Sequence, residues 1–432
     1  MKIAIAGYGL EGKSNYAYWT QQYPDADITI VDEQNYAAEA LPDEASAILG
    51  EGAFQQLHDF DLVIRTAGLA PYKISTDGKV WSATNEFFEK CPAKIIGVTG
   101  SKGKGTTASL IDSILKAAGH KSWLVGNIGQ PSLDVLSEIQ PDDIVVYELS
   151  SFQLWDLERS PQTAIVTIIE PDHLDVHVDF EDYIAAKSNI TKHQTVNDAA
   201  FYYPGNTYSQ QIAEAGNGSQ AAPYISATGV HVLGDYFYND EQKICSVSAL
   251  QIPGQHNVEN ACAALSAVIS IEGVDSQAIE QGLHSFHGLP HRLHFVKEVN
   301  GVRYYDDSIA TTPGSAIAAL KAFDQPKVII LGGSFKGSDF SELAHEIRKH
   351  DVSALLMGDE ALRISESFDA VEFTNYEVIE NPTMTRVITR AHEIANSGSV
   401  VLLSPAAASF GLFKNYSDRG EQFIAAVEAL PV

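Results

Sequence analysis

One stretch restricts the fold of this chain more than any other: Gly97-Val98-Thr99-Gly100-Ser101-Lys102-Gly103-Lys104-Gly105-Thr106-Thr107. An apolar run, Ile95-Ile96, precedes it, and a helical pattern from Ala108 to Ala118 follows, stopped at Gly119. Strand, glycine-rich turn, lysine and helix form the layout that cradles a nucleotide triphosphate. The glycines let backbone N–H groups approach phosphate, the helix N-terminus favours negative charge, and a lysine reaches the terminal phosphates. The phosphate-contacting candidates are therefore Gly100, Ser101, Lys102, Gly103, Lys104, Gly105, Thr106 and Thr107. Gly105 stands where the usual motif has Ser or Thr, and a hydroxyl follows at once on Thr106. The plain alternative is a glycine-rich βα turn, but strand, spacing and helix all agree with the loop.

A chain of 432 residues is too long for one ordinary core and predicts about two to four domains. Its net charge of −28 argues against a nucleic-acid or anionic-membrane partner, though not against a local phosphate site. Cys91, Cys245 and Cys262 form no CxxC pair, so a reducing compartment is the simpler reading. The N-terminal run is short and broken by Gly7, and no apolar stretch is long enough for a bilayer span. A cytoplasmic protein is expected. Nothing in the sequence demands more than a monomer.

The first region, residues 1–92, opens with a strand pattern from Lys2 to Ala6. Gly7-Tyr8-Gly9-Leu10-Glu11-Gly12 follows, then a helix to about Gln22 and a strand ending in Asp32. GxGxxG with an acid 20 positions beyond its last glycine is the signature of a Rossmann unit, the acid meeting a ribose. NAD is one ligand for it; a UDP-linked substrate is another, favoured because a better triphosphate loop lies downstream. A further strand, Asp61 to Arg65, leads into Thr66-Ala67-Gly68.

The central region, residues 93–288, continues from the phosphate loop to Trp123-Leu124-Val125-Gly126-Asn127, and then to a strand from Asp143 to Tyr147. That strand ends in Glu148-Leu149-Ser150-Ser151-Phe152-Gln153. A carboxylate at the carboxyl end of a strand beside the loop strand is well placed for Mg²⁺. Glu170-Pro171-Asp172-His173-Leu174-Asp175-Val176-His177 offers metal or phosphate chemistry, or is simply a polar loop. The helix after it carries Lys187, by itself an ordinary helical lysine. Asn257 and Asn260 open another helix, where they read a base edge or cap.

The last region, residues 289–432, starts at a linker-like Gly288-Leu289-Pro290-His291-Arg292. Strands near 302–306, 327–331, 352–356 and 400–403 alternate with helices near 314–323, 340–349 and 382–396. This pattern predicts a second open α/β sheet. Polar residues cluster after its strands, where such sheets place ligands: Asp306 to Thr312, Gly332 to Lys336, and Ser404 to Phe410 with Tyr416 beyond.

With these pieces together, the chain resembles the ATP-dependent Mur ligases of peptidoglycan synthesis. GVTGSKGKGTT, GNIG, ELSSFQL, PDHLDVH, the AAK of the next helix, PGQHNVENA, GLPHR, DDSIATT, LGGSFKG and LLSPAAASFGLFKNYSDRGEQF occur in family order. The resemblance implies three α/β domains: a Rossmann-like one for UDP, a central P-loop sheet domain for ATP, and a Rossmann-like C-terminal one for the amino acid. It implies an amide ligase that joins D-glutamate to UDP-N-acetylmuramoyl-L-alanine through an acyl phosphate, with ATP and Mg²⁺. By position it gives Lys104 to the phosphates, Glu148 and Thr106 to Mg²⁺, and His173 to a second Mg²⁺. Lys187 matches the family's carbamylated lysine. Asn257 and Asn260 face adenine, while Arg292 and Asp307 meet the ATP phosphates and ribose. Gly9, Leu10, Glu11, Asp32, Thr66 and Gly68 contact UDP; Asn127, Ser150 and Gln153 line the muramoyl-alanine path. Thr311, Lys336, Ser409, Phe410 and Tyr416 receive the amino acid.

Three positions depart from the family pattern. Ile309 replaces a lysine, removing a cation; Thr66-Ala67-Gly68 replaces Ser-Pro-Gly; and Gly105 replaces Ser or Thr. The first motivates a variant in which L-glutamate or another acidic amino acid is the acceptor. From other classes come an NAD-dependent oxidoreductase and a nucleotide-sensing module.

Overall fold

The computed structural model describes residues 1–36, 40–43, 45–216, 220–335, 337–409 and 411–431. These form two compact units, Met1–Ala249 with Val258–Ser285, and Leu250–Asn257 with Phe286–Val432.

The first unit contains two parallel sheets. The first is built from β1 (Lys2–Ala6), β2 (Asp27–Asp32), β3 (Ser46–Leu49), β4 (Leu62–Arg65) and β5 (Lys79–Ser82), in the order β3-β2-β1-β4-β5. Beyond the exposed Lys2, β1 is apolar throughout because both faces are covered. Ala4 and Ala6 join Val31 and Val63 in one core, while Ile3 and Ile5 join Ile64 and Trp19 in another. This is the period-two alternation of a strand, applied to two apolar layers. The strand order reverses at β1/β4, and ligands of open α/β sheets bind over the carboxyl ends at such a point. Both candidate nucleotide segments, Gly7–Gly12, which runs into the first turn of α1 (Leu10–Gln22), and Thr66–Gly68, leave the sheet there. α2 (Ala83–Lys90) then leads into the second sheet.

That sheet consists of β6 (Lys94–Thr99), β7 (Ser122–Gly126), β8 (Ile144–Glu148), β9 (Thr163–Val166), β10 (Ala199–Tyr202) and β11 (Gln220–Pro223). Its order is β11-β10-β9-β6-β8-β7. The phosphate-loop strand β6 is central, between β8 and β9. Its helices are α3 (Lys104–Ala117), α4 (Ser132–Val135), α5 (Ser151–Leu154), α6 (Phe180–Lys192) and α7 (Thr207–Ala213). α3 ends in a Schellman motif, with the N–H of Gly119 on the Lys116 carbonyl and that of His120 on Leu115, as glycine after the last turn allows. An antiparallel sheet of β12 (Val230–Leu233), β13 (Tyr236–Asn239) and β14 (Gln242–Ser246) follows, then α8 (Gln255–Val268) and α9 (Ser276–Ser285).

The second unit holds β15 (His294–Val299), β16 (Val302–Asp306), β17 (Lys327–Gly332), β18 (Val352–Met357), β19 (Tyr376–Val378) and β20 (Val400–Leu403). They are ordered β15-β16-β20-β17-β18-β19. Only β15 is antiparallel to its neighbour. α10 (Pro313–Lys321), α11 (Ser341–Ile347), α12 (Ala361–Ala370), α13 (Met384–Ile394) and α14 (Tyr416–Glu428) cover it, giving separate cores on its two faces. The linker-like segment at 288–292 is instead a turn closed by a Leu289–Arg292 bridge. His291 in it is buried and bonded to Asp306.

Candidate active site

The phosphate loop runs from Gly100 to Gly103, and α3 starts at Lys104. Its shape is held from the β9 side. Ser101 N–H donates to the Ile168 carbonyl, and its hydroxyl donates to the Glu170 carbonyl at 2.8 Å. Thr167 donates from its hydroxyl to the Lys102 carbonyl. Lys104 Nζ folds back onto the Ser101 carbonyl at 3.2 Å. Lys102 lies at the surface, paired with Glu170 at 2.6 Å. Gly105, Thr106 and Thr107 are buried in the first turn of α3. The Asn260 carboxamide packs against Gly103, where a Cβ would collide with it, and accepts from the Thr107 hydroxyl at 3.4 Å.

Lys187 is the most unusual group here. It sits under the loop on α6 with 1% of its surface exposed. Its Nζ donates to the Gly100 carbonyl at 2.9 Å and the Thr99 hydroxyl at 3.2 Å, and lies 4.7 Å from the Tyr183 ring centroid. Burial, and then the neighbouring Lys104 charge, pull its ammonium well below the usual lysine range; Asp172 and Glu148 oppose this. Desolvation disfavours the charged form.

Glu148 ends β8 with 2% exposure, opposite Val98 of β6 on one side and Gly126 of β7 on the other. The Asn127 N–H donates to the Glu148 carbonyl at 3.1 Å, and the Asn127 side chain is exposed. Two residues further on, Ser150 caps α5. Its hydroxyl accepts from Gln153 N–H while the Gln153 side chain accepts from Ser150 N–H, a capping box. His173 is exposed on the loop after β9, with a left-handed backbone at φ 55°, and its ring lies 4.8 Å from that of Phe152. His177, four residues on, is fully buried. It bonds Asp182 at 2.8 Å and Ser151 at 3.0 Å, tying this loop to α5. Among the described residues no group of three or more His, Cys, Asp or Glu gathers as a metal cage.

Over the first sheet, Gly9 is the N-cap of α1 and Leu10 is 79% exposed. The Asp32 carboxylate accepts from Tyr8 N–H at 2.6 Å and Gln34 N–H at 2.8 Å, so it fastens the glycine turn. The Thr66 hydroxyl donates to the Ala6 carbonyl. Glu11 accepts from Ala67 N–H at 2.8 Å, and burial raises its carboxyl above the usual range. Proline at 67 would have no N–H to offer, so this departure from the family pattern has a local partner in Glu11.

In the second unit, Asp307 is buried and accepts from the Ser404 hydroxyl at 2.7 Å and Leu293 N–H at 3.2 Å; burial lifts its pKa to about 7. Arg292 is exposed and follows His291, whose ring the Asp306 carboxylate, 2.6 Å away, pushes above the usual histidine range against the opposing effect of burial. Asn257 donates from its side chain to the Pro253 carbonyl. Thr311 N–H donates to the Ile309 carbonyl, Ser409 is 3% exposed, and Tyr416 is half-exposed at the start of α14. Lys336 and Phe410 lie outside the described residues. Two buried arginines escaped the sequence reading. Arg419 donates to the Ser308 hydroxyl and carbonyl and to the Ala407 and Ala408 carbonyls, binding the loops after β16 and β20 together. Arg65, at the end of β4, is the other. The only hint of the second was an arginine ending an apolar strand pattern.

In the first unit, a glycine-rich phosphate loop with Lys104 at its helix N-terminus, Glu148 on the adjacent strand and Lys187 beneath describes a nucleotide-using enzyme. The Mur ligase middle-domain model matches residues 98–268, and the Mur ligase glutamate-ligase-domain model matches 291–407. The chain belongs to the Mur ligase family. A UDP-N-acetylmuramoylalanine–D-glutamate ligase of Clostridium tetani is 39% identical over 87% of this chain and 84% of its own. One of Clostridium kluyveri is 36% identical over 98% and 95%. In fold, the chain is similar to the UDP-N-acetylmuramate–alanine ligase of Thermotoga maritima, with TM-score 0.61, 17% identity and 99% of both chains covered. A MurF ligase of the same organism, solved with ADP, gives TM-score 0.58 and 17% identity over 99% of this chain and 94% of that one. Family membership sets aside the oxidoreductase and sensing-module alternatives.

Proposed function

We propose that this protein is an ATP-dependent amide ligase that adds D-glutamate to UDP-N-acetylmuramoyl-L-alanine in peptidoglycan precursor synthesis. The observation that carries the reading is the phosphate loop with Lys104 at its helix N-terminus, Glu148 on the adjacent strand and Lys187 buried beneath. Relatives named for this activity, matching nearly the whole chain, support it. Residues 1–92 take the UDP moiety at the β1/β4 reversal, residues 93–288 take ATP, and residues 289–432 take the amino acid. The substrates are soluble, no helix among the described residues is long and apolar enough to cross a membrane, and we place the enzyme in the cytoplasm as a monomer.

A carboxylate is a poor acyl donor until phosphorylated. Lys104 and the α3 N-terminus hold the terminal phosphates of ATP and stabilise charge as the γ-phosphoryl group passes to the substrate carboxylate. The glutamate amine then attacks the acyl carbon, and phosphate leaves as the amide forms. Asn257 and Asn260 face adenine; Arg292 and Asp307 meet the phosphates and ribose. Ser150, Gln153 and Asn127 line the acceptor path. Thr311, Lys336, Ser409, Phe410 and Tyr416 hold glutamate.

The donor set suits Mg²⁺, which is commonly bound by one or two carboxylates completed by substrate phosphates, rather than by an all-protein cage. Glu148 and the Thr106 hydroxyl would hold one ion and His173 a second; bound there, Mg²⁺ neutralises phosphate charge. Lys187 completes the set as a carbamate. Its uncharged amine adds to CO₂, forming an N–C bond and releasing one proton, and its depressed basicity supports this.

Phosphate release by the purified protein with ATP, Mg²⁺ and UDP-N-acetylmuramoyl-L-alanine tests the proposal. Turnover with D-glutamate is expected. Turnover only with L-glutamate, the outcome that Ile309 motivates, overturns the stereochemical assignment. No ATP-dependent turnover with either isomer overturns the ligase reading.

A further inference from the structure

Arg65 ends β4 with none of its surface exposed. All three guanidinium nitrogens are engaged. Nε and Nη2 donate to the two oxygens of Asp156 at 2.9 and 2.7 Å. Nη1 donates to the carbonyls of Thr66, Ala67 and Leu69 at 3.2, 3.1 and 2.9 Å. Nη2 also reaches the Phe152 carbonyl on α5 at 3.0 Å. One planar group thus fixes two segments: the turn after β4, and α5 with the residues just beyond it.

The consequence for the turn follows from peptide geometry. In a trans peptide the C=O and the next N–H point in opposite directions. With the Thr66 carbonyl drawn to Arg65, the Ala67 N–H must face away, and it is found on Glu11 of α1. With the Ala67 carbonyl drawn in as well, the Gly68 N–H also faces away from the guanidinium. Gly68 is exposed, and a Cβ there would meet nothing within 4 Å. The other segment begins at Ser150, whose capping box with Gln153 sets the N-terminus of α5.

We infer that Arg65 is a positioning residue that locks the nucleotide-contacting turn Thr66–Gly68 and the acceptor-lining segment Ser150–Gln153 into one rigid piece, so that both ends of the UDP-linked substrate meet a preset surface. The inference rests on the reading that this substrate lies over Thr66–Gly68 and Ser150–Gln153. Lysine cannot do the same work, because it is a point charge with three donors and no planar fork.

Arg65→Lys and Asp156→Asn test this by direct titration with UDP-N-acetylmuramoyl-L-alanine and, separately, with ADP. The substrate should bind about tenfold more weakly to each variant, as expected for loss of charge-assisted bonds that preset a site. ADP affinity should stay within about twofold, since the phosphate loop is not among Arg65's partners. Equal losses for both ligands, or unchanged substrate affinity, would overturn the inference and leave Arg65 a purely structural ion pair. Hydrogen exchange on the wild-type protein needs no variant. UDP alone should slow exchange in residues 66–69 and in residues 150–157 together; slowing confined to 66–69 sinks the coupling. If wild-type protein neither binds UDP nor turns over, the functional reading itself fails, an outcome distinct from uncoupled segments in an active enzyme.

Discussion

Lys187 shows how far a residue's chemistry depends on its surroundings. On α6 it follows an alanine pair and has no marked neighbours in sequence, yet the fold carries its amine under the phosphate loop onto the Gly100 carbonyl. Substituting alanine should remove nearly all turnover while leaving ADP binding in place. Acetate or formate in the millimolar range should restore part of the rate by standing in for the carbamate. Full activity without added acid would remove the carbamate role. Asp307 makes a second case. Burial lifts it to about 7, so the folded chain keeps a proton that the unfolded chain gives up above about pH 4. Stability tied to the neutral form is complete below that pH and is lost as pH rises to about 7. Asp307→Asn stays neutral throughout. Its melting temperature should exceed the wild type's at about pH 8, by an amount equivalent to about 1–3 kcal/mol, with the gap closing toward about pH 4. A gap independent of pH would mean that Asp307 is ionised in the fold.

At the scale of elements, the phosphate loop and its helix separate two uses of glycine. Gly103 has φ 87° and lies against the Asn260 carboxamide; Gly119 has φ 85° and open space around it. Both alanine variants should lose about 1–2 kcal/mol of stability through backbone strain. Only Gly103→Ala should also weaken ADP binding, by about tenfold or more, because its Cβ displaces the groups that shape the loop. Calorimetric titration of both variants separates the effects, and equal ADP affinity in the two would show that the loop tolerates the displacement. These elements were readable because their signals are local: an apolar strand, glycines at fixed spacing, a Schellman glycine. β1, β8 and the four strands expected in the last region appear within a residue or two of where periodicity puts them, while β6 runs on to Thr99, three residues past the apolar pair Ile95-Ile96. What could not be read were roles fixed by distant partners. Nothing near position 32 says that the Asp32 carboxylate is taken up by Tyr8 N–H, or that Ser150 and Gln153 cap one another rather than standing open. His177 looked like one more polar loop residue, and only the fold buries it against Ser151 and Asp182.

Across the whole molecule, the first two sheets belong to one compact unit, and single contacts of long sequence separation join them. Arg65 and Asp156 are 91 positions apart, and Asn85 reaches the Asp156 carbonyl and Glu158 N–H across a similar span. Composition predicts several domains but carries no trace of such rivets. It does predict the field in which they work. With 56 acidic against 28 basic side chains, the chain carries −28 at pH 7. Two of its few basic side chains, Lys102 and Lys104, sit together in the glycine-rich loop. Several ion pairs, such as Arg159–Glu89 and Arg390–Glu377, are exposed on both sides, and pairs of that kind contribute little. Repulsion among surplus carboxylates should therefore outweigh pair attraction, and it acts more strongly on the compact state than on the expanded one. Screening should stabilise the fold. Raising NaCl from about 10 to about 150 mM shortens the Debye length from about 30 to about 8 Å and should raise the melting temperature by about 2–5 °C. KCl should act equally, since the effect depends on ionic strength alone. A melting temperature that falls over this range would show that the exposed ion pairs, not the net charge, dominate the electrostatic free energy of folding.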